Sequence, residues 1–324
     1  MIRAALLSLA VLACVPAVRS AQCDVRSAAM HLAPRTLHRA LLFGQQPVFR
    51  ATVDVVRVDV LATDRGRPIA GLTARDFELL DNGVPQQIEL VAAGDLPLDV
   101  TLVFDVSSSV SGAVLEHLKS AGSAVIASLK PPDRAALWTF SHRIDAPNPL
   151  THDFERVRGA IDRLEGEGAT ALLDGLYAAL VSRMDSPNRS LVLLFSDGKD
   201  NRSWLTEDEV VQAATQSGTV VYAVAFNPPF VIAGGQPLRG TGPDEHALTT
   251  IASETGGRLL WAQRDRDLKP RFLEVLQEMR SRYVLTYHHS AAPAAGWHAI
   301  TVRLTRRSGT VKARTGYFVR PAAQ

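Results

Sequence analysis

Cysteine is almost missing from this chain of 324 residues, which holds two, Cys14 and Cys23. Both lie so close to the N-terminus that no internal disulfide is expected, and the fold must stand on its packed core. Cys23 reads as an incidental free thiol. An excess of charge of one sign is also missing. Lys and Arg number 35 against 33 Asp and Glu, a formal net charge of +2. With no Lys/Arg block and no interleaving of basic and aromatic residues, a nucleic-acid partner is not expected. Long apolar runs are absent as well. The longest, Ala4 to Val18, is too short to span a bilayer, and no second one follows it. The catalytic signatures Gly-x-Ser-x-Gly, His-Glu-x-x-His and the Walker loop do not occur, and the nine histidines are scattered along the chain. An enzyme is therefore not expected.

What is present reads as an exported globular protein. Hydrophobic residues make up 46% and charged residues 21%, as in ordinary soluble domains, and the length suggests about two of them. Arg3 and the apolar stretch after it resemble an export signal. Val18-Arg19-Ser20 supplies the small residues that would allow cleavage after Ser20. A rival, Val11-Leu12-Ala13-Cys14, resembles a bacterial lipobox and implies a lipid anchor at Cys14, although Leu12 is not the usual residue there. Both outcomes place the mature protein in the periplasm or outside the cell, with no transmembrane helix after processing. Asn188-Arg189-Ser190 and Asn201-Arg202-Ser203 match glycosylation sequons and read as chance in a bacterial protein.

The most informative segment is Leu98 to Ser109. An apolar strand, Leu98 to Phe104, runs into Asp105-Val106-Ser107-Ser108-Ser109. Strands apolar on both faces belong in parallel sheets covered by helices, and ligands in such sheets bind beyond the strands' C-terminal ends. One carboxylate and two hydroxyls alternating in a short loop form a set of hard oxygen donors suited to Mg²⁺ or Mn²⁺. Two further segments accompany it. Gly168-Ala169-Thr170 opens a helix with a free hydroxyl, and Leu191 to Phe195 is a second apolar strand, ending in Ser196-Asp197-Gly198. Together the three segments resemble the metal-ion-dependent adhesion site of von Willebrand factor A (VWA) domains. The resemblance implies a metal set of Asp105, Ser107, Ser109, Thr170 and Asp197. In it the two hydroxyls of the first loop bind directly, the aspartates supply charge and orient water, and an acidic group of a protein partner completes the coordination. Asp174 reads as a hydrogen-bond acceptor for a neighbouring loop. Gly198 reads as a sharp backbone turn, Ser196 and Asp200 as bordering residues, and His142 and His152 as surface residues in preference to edging the site.

Residues 96–280 alternate strands, near 98–105, 134–140, 190–196, 219–226 and 258–261, with helices near 110–129, 153–164, 170–184, 206–217, 244–255 and 267–280. Such alternation predicts right-handed crossovers and a doubly wound, mostly parallel α/β sheet of the Rossmann-like type. Ile144 to Leu150 adds a short antiparallel edge strand. On either side the pattern becomes alternating strands. Before the α/β segment lie 48–60, a turn at Asp64 to Pro68, a helical turn at Leu72 to Leu80 leading into a strand, a tight turn at Asp81-Asn82-Gly83, and 87–91. After it lie 282–288, 297–304 and 310–319. Neither set suffices for a sheet sandwich alone, so the two are expected to pair into one small β-sandwich-like domain into which the α/β domain is inserted. The division is then 1–20 signal peptide, 21–47 linker, 48–95 N-terminal β-strands, 96–280 VWA domain and 281–320 C-terminal β-strands.

The flanks carry a narrower resemblance. Gly71-Leu72-Thr73-Ala74-Arg75-Asp76-Phe77-Glu78, Asn82-Gly83-Val84-Pro85-Gln86, Tyr283-Val284-Leu285-Thr286-Tyr287 and Gly316-Tyr317-Phe318 resemble acidobacterial-type VWA-related proteins. Three functions are left open by these readings: an exported, metal-dependent protein-binding module, an envelope scaffold whose metal is structural only, and a metal-dependent hydrolase. The Gly- and Pro-rich stretch 227–243, with Phe230, Val231 and Ile232, reads as either a binding loop on the metal rim or a surface insertion. His288-His289, adjacent on a strand, should point to opposite faces and so not form a ligand pair.

Overall fold

Alternation from Val55 to Val60, with Val56, Val58 and Val60 buried and Val55 exposed, opens the ten-residue first strand of a half-buried sheet. The computed structural model describes residues 55–319, except 95, 184–187, 227–230, 234–235, 239–243 and 290–293, and gives backbone alone for 231–233 and 236–238. The described residues fall in one compact unit, Thr52–Gln324. The strands before the α/β segment are β1 (Val55–Asp64), β2 (Arg67–Pro68), β3 (Phe77–Asp81), β4 (Val84–Gln86) and β5 (Leu90–Ala92). The tight turn at Asn82-Gly83 joins β3 to β4, both residues taking positive φ, 47° and 80°.

The α/β segment follows as β6 (Leu98–Asp105), α1 (Gly112–Ala127), β7 (Arg134–Phe140), β8 (Ile144–Thr151), α2 (Phe154–Asp162), α3 (Leu172–Val181), β9 (Arg189–Ser196), α4 (Glu207–Ser217) and β10 (Val220–Phe226). It ends with β11 (Val231–Ala233), β12 (Gln236–Leu238), α5 (Glu245–Glu254), β13 (Arg258–Ala262) and α6 (Leu268–Arg280). Six of these strands form one sheet in the order β13-β10-β9-β6-β7-β8, parallel except for the edge strand β8. Strand β8 carries Pro147 and Pro149, which an edge tolerates because one side makes no ladder bonds. Every residue of β6, β9 and β10 is buried, as expected of strands covered on both faces. Side chains of α1, α2 and α6 close one face around Phe104, Phe195 and Phe272. Those of α3, α4 and α5 close the other around Val103, Val192 and Leu194. The chain turns from β6 to β7 on one side and continues beyond β9 on the other, so the order reverses between β6 and β9, the switch point where such sheets bind ligands.

The last strands are β14 (Tyr283–His288), β15 (Gly296–Leu304), β16 (Thr310–Lys312) and β17 (Gly316–Val319). They combine with the first set into two antiparallel sheets. One has the order β16-β1-β14-β5 with β2 beside β1, and the other β17-β15-β3-β4. Both sheets draw on strands from both sides of the α/β segment. Val284 of β14 pairs with Ala92 of β5, so the points where the chain leaves and re-enters the sandwich are adjacent. Val58, Val60, Phe77, Leu79, Tyr283, Leu285 and Tyr287 fill the space between the sheets.

Two expected strands are broken. The segment 310–319 splits into β16 and β17, which lie in different sheets, and the strand expected over 87–91 begins only at Leu90, as β5, in a different sheet from β4 before it. An alternating pattern survives a change of sheet, because each new strand still presents one face to the same core. The stretch 227–243 contains the backbone hairpin β11–β12, and the side chains of Phe230, Val231 and Ile232 lie outside the described residues. The segments 1–47 and 48–54 also lie outside them.

The sandwich meets the N-terminal edge of the parallel sheet through buried polar contacts. Arg189, which starts β9, pairs with Asp59 of β1 at 2.6 Å and donates to the Met279 carbonyl at 3.0 Å. Arg282 is fully buried. It donates to Tyr222 Oη at 2.9 Å and to the Gly256 carbonyl, and its guanidinium lies 5.6 Å from the Tyr222 ring centre. Gly256, at φ +83°, sits so close to Ala313 and Arg314 that a Cβ would lie 2.6 Å from the Ala313 carbonyl carbon. These contacts leave the opposite, C-terminal edge of the sheet free of the sandwich.

Candidate metal centre at the switch point

Asp105 closes β6 and Ser196 closes β9. Their neighbours Phe104 and Phe195 are register partners, so the two strand ends are level. Asp105 is fully buried. One carboxylate oxygen accepts the backbone amide of Ser107 at 2.9 Å, which curls the loop back on itself, and the other accepts the Ser196 hydroxyl at 2.7 Å. The hydroxyls of Ser107 and Ser109 are 3.1 Å apart, and Ser109 donates to Asp197 Oδ1 at 2.8 Å. Four of the five expected residues are thus joined through their own hydrogen bonds, with Ser196 as a positioning neighbour.

Thr170 is buried, and its hydroxyl lies against Gly198, where an added Cβ would meet it at 3.6 Å. That places Thr170 beside Asp197. The chain bends at Asp197 and Gly198, as expected, and Gly198 does so without positive φ, an added Cβ there making only ordinary contact with Thr170. The Thr170 loop and the Asp197 loop are tied together by several bonds. Thr170 donates its amide to Asn201 Oδ1, and Asn201 returns its own amide to the Thr170 carbonyl, both at 3.0 Å. Helix α3 has no side-chain cap of its own, and Asp200 instead accepts the Leu173 amide at 2.9 Å while Ser203 accepts that of Asp174 at 3.1 Å. Asp174 accepts the amides of Trp204 and Leu205, at 3.1 and 3.0 Å, the loop-bracing role expected of it. Asn188 donates its side-chain amide to Asp99 Oδ1 at 3.1 Å, whereas Asn201 uses its side-chain oxygen as the acceptor for Thr170. His152 bonds the Asp133 carbonyl, at the other end of β7, and is not part of the site.

The electrostatics favour a cation here. Burial pushes the Asp105 carboxyl up, against the pull of its bonds from Ser107 and Ser196. Burial, and then the charge of Asp105, push Asp197 up to about 6. Two carboxylates so close raise each other's cost of ionisation, and a divalent ion would remove that cost. All the donors are oxygens, with no imidazole or thiolate among them, which fits a hard cation. Asp105, Ser107, Ser109, Thr170 and Asp197 are the residues placed to hold one, and the ion would offer a Lewis-acidic position for an anionic oxygen.

The sequence model for the von Willebrand factor type A domain matches residues 99–272. The chain belongs to the von Willebrand factor A family. It is 27% identical over 227 residues to the uncharacterized protein sll0103 of Synechocystis sp., an alignment covering 65% of this chain and 50% of that protein. Among solved structures it resembles proximal thread matrix protein 1 of the mussel byssus, with 20% identity and a TM-score of 0.50, over 62% of this chain and 50% of that one. A structure of the same mussel protein with a zinc-occupied MIDAS motif gives 18% identity and a TM-score of 0.51, over the same shares. These likenesses establish the VWA fold. The chain spans about half the length of the curated relative it matches.

One residue of the VWA rim escaped the sequence reading. Trp204 is 94% exposed, although its backbone amide is held by Asp174. Its large apolar ring thus stands fully exposed on a loop whose backbone is braced. A single Trp in a polar loop, seven positions after Asp197, was the available signal.

Proposed function

We propose that this protein is an exported, divalent-metal-dependent binding module whose VWA site captures an acidic side chain of a protein partner. The observation that carries the reading is the convergence of Asp105, Ser107, Ser109 and Asp197, oxygen donors only, at the switch-point crevice. The hydroxyl-rich set leaves a bound Mg²⁺ or Mn²⁺ with charge to spare for an Asp or Glu carboxylate. The mussel protein's zinc-occupied MIDAS motif supports a metal at this position of the fold. Trp204 adds an apolar contact at the rim. Anchoring of the sandwich at the far edge of the sheet favours a binding role over a purely structural one, because it leaves the crevice facing outward. Binding without turnover is part of this reading, and turnover of any substrate lost on chelation would overturn it. Among the described residues no helix is long and apolar enough to cross a membrane. Periplasmic or extracellular placement, with or without a lipid anchor at Cys14, rests on the N-terminal sequence.

Calorimetric titration of Mg²⁺ and Mn²⁺ into the protein and into Asp105→Ala tests the metal. Saturable binding lost in the variant is expected, and equal binding by both would overturn the assignment. Capture of envelope proteins on the immobilised chain, with Mg²⁺ or with chelator, tests the binding role. Partners retained equally under chelation would make the metal structural only.

A further inference from the structure

The sandwich contains a second cluster of ligand-type side chains, unrelated to the switch-point crevice. Asp81 ends β3, His298 lies on β15 and Tyr317 on β17, three neighbouring strands of one sheet. Ile300 pairs with Asp81 and His298 pairs with Tyr317, so the three side chains project from the same face into the core. Tyr287 reaches the cluster from β14 of the opposing sheet, and His289 follows two positions on, on the same face as Tyr287. His288 points away and pairs with Glu89. Asp81 and His298 are 3% and 6% exposed, a depth at which an unpaired carboxylate or imidazole is not tolerated.

The donors are arranged around the carboxylate. Tyr287 and Tyr317 hydroxyls donate to Asp81 Oδ2 at 2.6 and 2.8 Å. His298 Nδ1 lies 2.8 Å from Asp81 Oδ1, and His289 Nε2 lies 3.6 Å from Oδ2 and 2.5 Å from Tyr317 Oη. The ligand atoms of Asp81, His289 and His298 all fall within 4.8 Å of one another. The outer bond of His298 is decisive. Its Nε2 meets the Ala294 carbonyl at 2.8 Å, and a carbonyl can only accept, so the ring proton sits on Nε2 and the Nδ1 lone pair faces the carboxylate. Two lone pairs cannot face each other at that distance without a cation between them. Either a second proton fills that position or a metal ion does. An imidazole whose outer nitrogen is fixed by a carbonyl is the usual support of a metal-bound histidine.

We propose that Asp81, His289 and His298 bind a borderline divalent transition-metal ion, Zn²⁺ foremost, with Tyr317 or water as the fourth ligand. Tetrahedral zinc holds N and O donors at about 2.0–2.2 Å, which sets ligand atoms roughly 3.3 Å apart. His298 lies 2.8 Å from Oδ1 and His289 3.6 Å from Oδ2, with all three ligand atoms within 4.8 Å of one another, so side-chain rotation brings them to that spacing. The mixed imidazole and carboxylate set separates this site from the all-oxygen crevice. The ion would staple the two sheets at one end of the sandwich. Neither of the chain's two cysteines lies in the described residues, so no disulfide there does that work.

Cobalt reports the coordination directly. Co²⁺ titrated into the untagged full chain is expected to give one equivalent of strong visible d–d bands typical of four-coordination, without a thiolate charge-transfer band, and Zn²⁺ is expected to bleach them. Asp105→Ala should leave the spectrum unchanged, which separates this site from the crevice. His289→Ala, at the accessible side of the cluster, should weaken cobalt binding at least tenfold and abolish the rise in Tm on adding Zn²⁺. Circular dichroism confirms that this variant folds, and His289→Gln replaces it if it does not. Absence of saturable four-coordinate bands in the parent, or bands lost in Asp105→Ala and kept in His289→Ala, would overturn the proposal and leave a proton in the cluster.

Discussion

Ser109 donates its hydroxyl to Asp197 across 88 positions of sequence, at 2.8 Å. That bond spans the crevice between β6 and β9. The hydroxyl proton neutralises one carboxylate oxygen in the direction a cation would take. A bound ion must turn the Ser109 lone pairs inward and take over that neutralisation. Ser109→Ala is therefore expected to weaken Mg²⁺ binding about tenfold, equivalent to ~1.4 kcal/mol. Calorimetry on the folded variant measures it, and unchanged affinity would remove Ser109 from the ligand set.

Metal binding at this crevice is expected to weaken as the pH falls through about 6, the value to which burial and Asp105 raise Asp197. Protons then compete with the ion. Without metal the sign for stability is reversed. A carboxyl raised on folding binds more protons in the native than in the unfolded chain, so its contribution is complete below the unfolded value of 3.8 and is lost as the pH rises through about 6. Thermal melts in chelator at pH 4.5 and 7.5, compared with Asp197→Asn, isolate the effect. The variant should gain on the parent from pH 4.5 to pH 7.5, because only the parent acquires a buried charge over that range.

Breaking the pair between Asp59 and Arg189 tests the junction at the opposite edge of the sheet. Arg189 is 3% exposed, and its partner's loss would strand a buried cation. Asp59→Ala is expected to cost about 3–5 kcal/mol in urea unfolding. Mg²⁺ affinity of the folded variant should stay within twofold of the parent, since the crevice lies at the other ends of the strands. A large loss of affinity would show that the junction and the site are coupled.

Trp204→Ala should leave Tm almost unchanged, because a ring 94% exposed contributes little to packing. Its effect belongs to partner capture, where an exposed aromatic anchor is typically worth ~2 kcal/mol or more, about thirtyfold in affinity. Metal affinity should not change. Equal capture by parent and variant in the presence of Mg²⁺ would place the partner surface elsewhere.

Asp174→Ala removes the acceptor of the Trp204 and Leu205 amides. Loss of these charge-assisted bonds is expected to cost about 1.5–3 kcal/mol of stability. Hydrogen exchange should show the amides of 204 and 205 opening first. Protection there equal to the parent would mean that other contacts brace the loop.

The crevice was legible in the sequence because each part of it is local. Asp105, Ser107 and Ser109 share one loop, and the buried strands Leu98–Asp105 and Arg189–Ser196 reveal themselves by apolar runs on both faces. Strand ends at a switch point then bring Asp197 to Asp105 without further information. The sandwich was legible only as a set of strands. Whether Thr310–Lys312 joins β1 while Gly316–Val319 joins β15 depends on a sheet change at 313–315, and alternation is blind to it.

The amino-acid sequence by itself determined the α/β class, the loops that carry the candidate metal ligands and the roles of Asp174 and the edge strand, because periodicity and loop chemistry act over a few residues. Only the tertiary structure decided which strands share a sheet. For that reason it alone brought Asp81, His289 and His298 together. Asp81 and His298 are 217 positions apart and meet because β3 and β15 lie side by side across the inserted α/β segment. Their contact comes from strand pairing and burial, in which a carboxylate 3% exposed must find partners wherever the core supplies them.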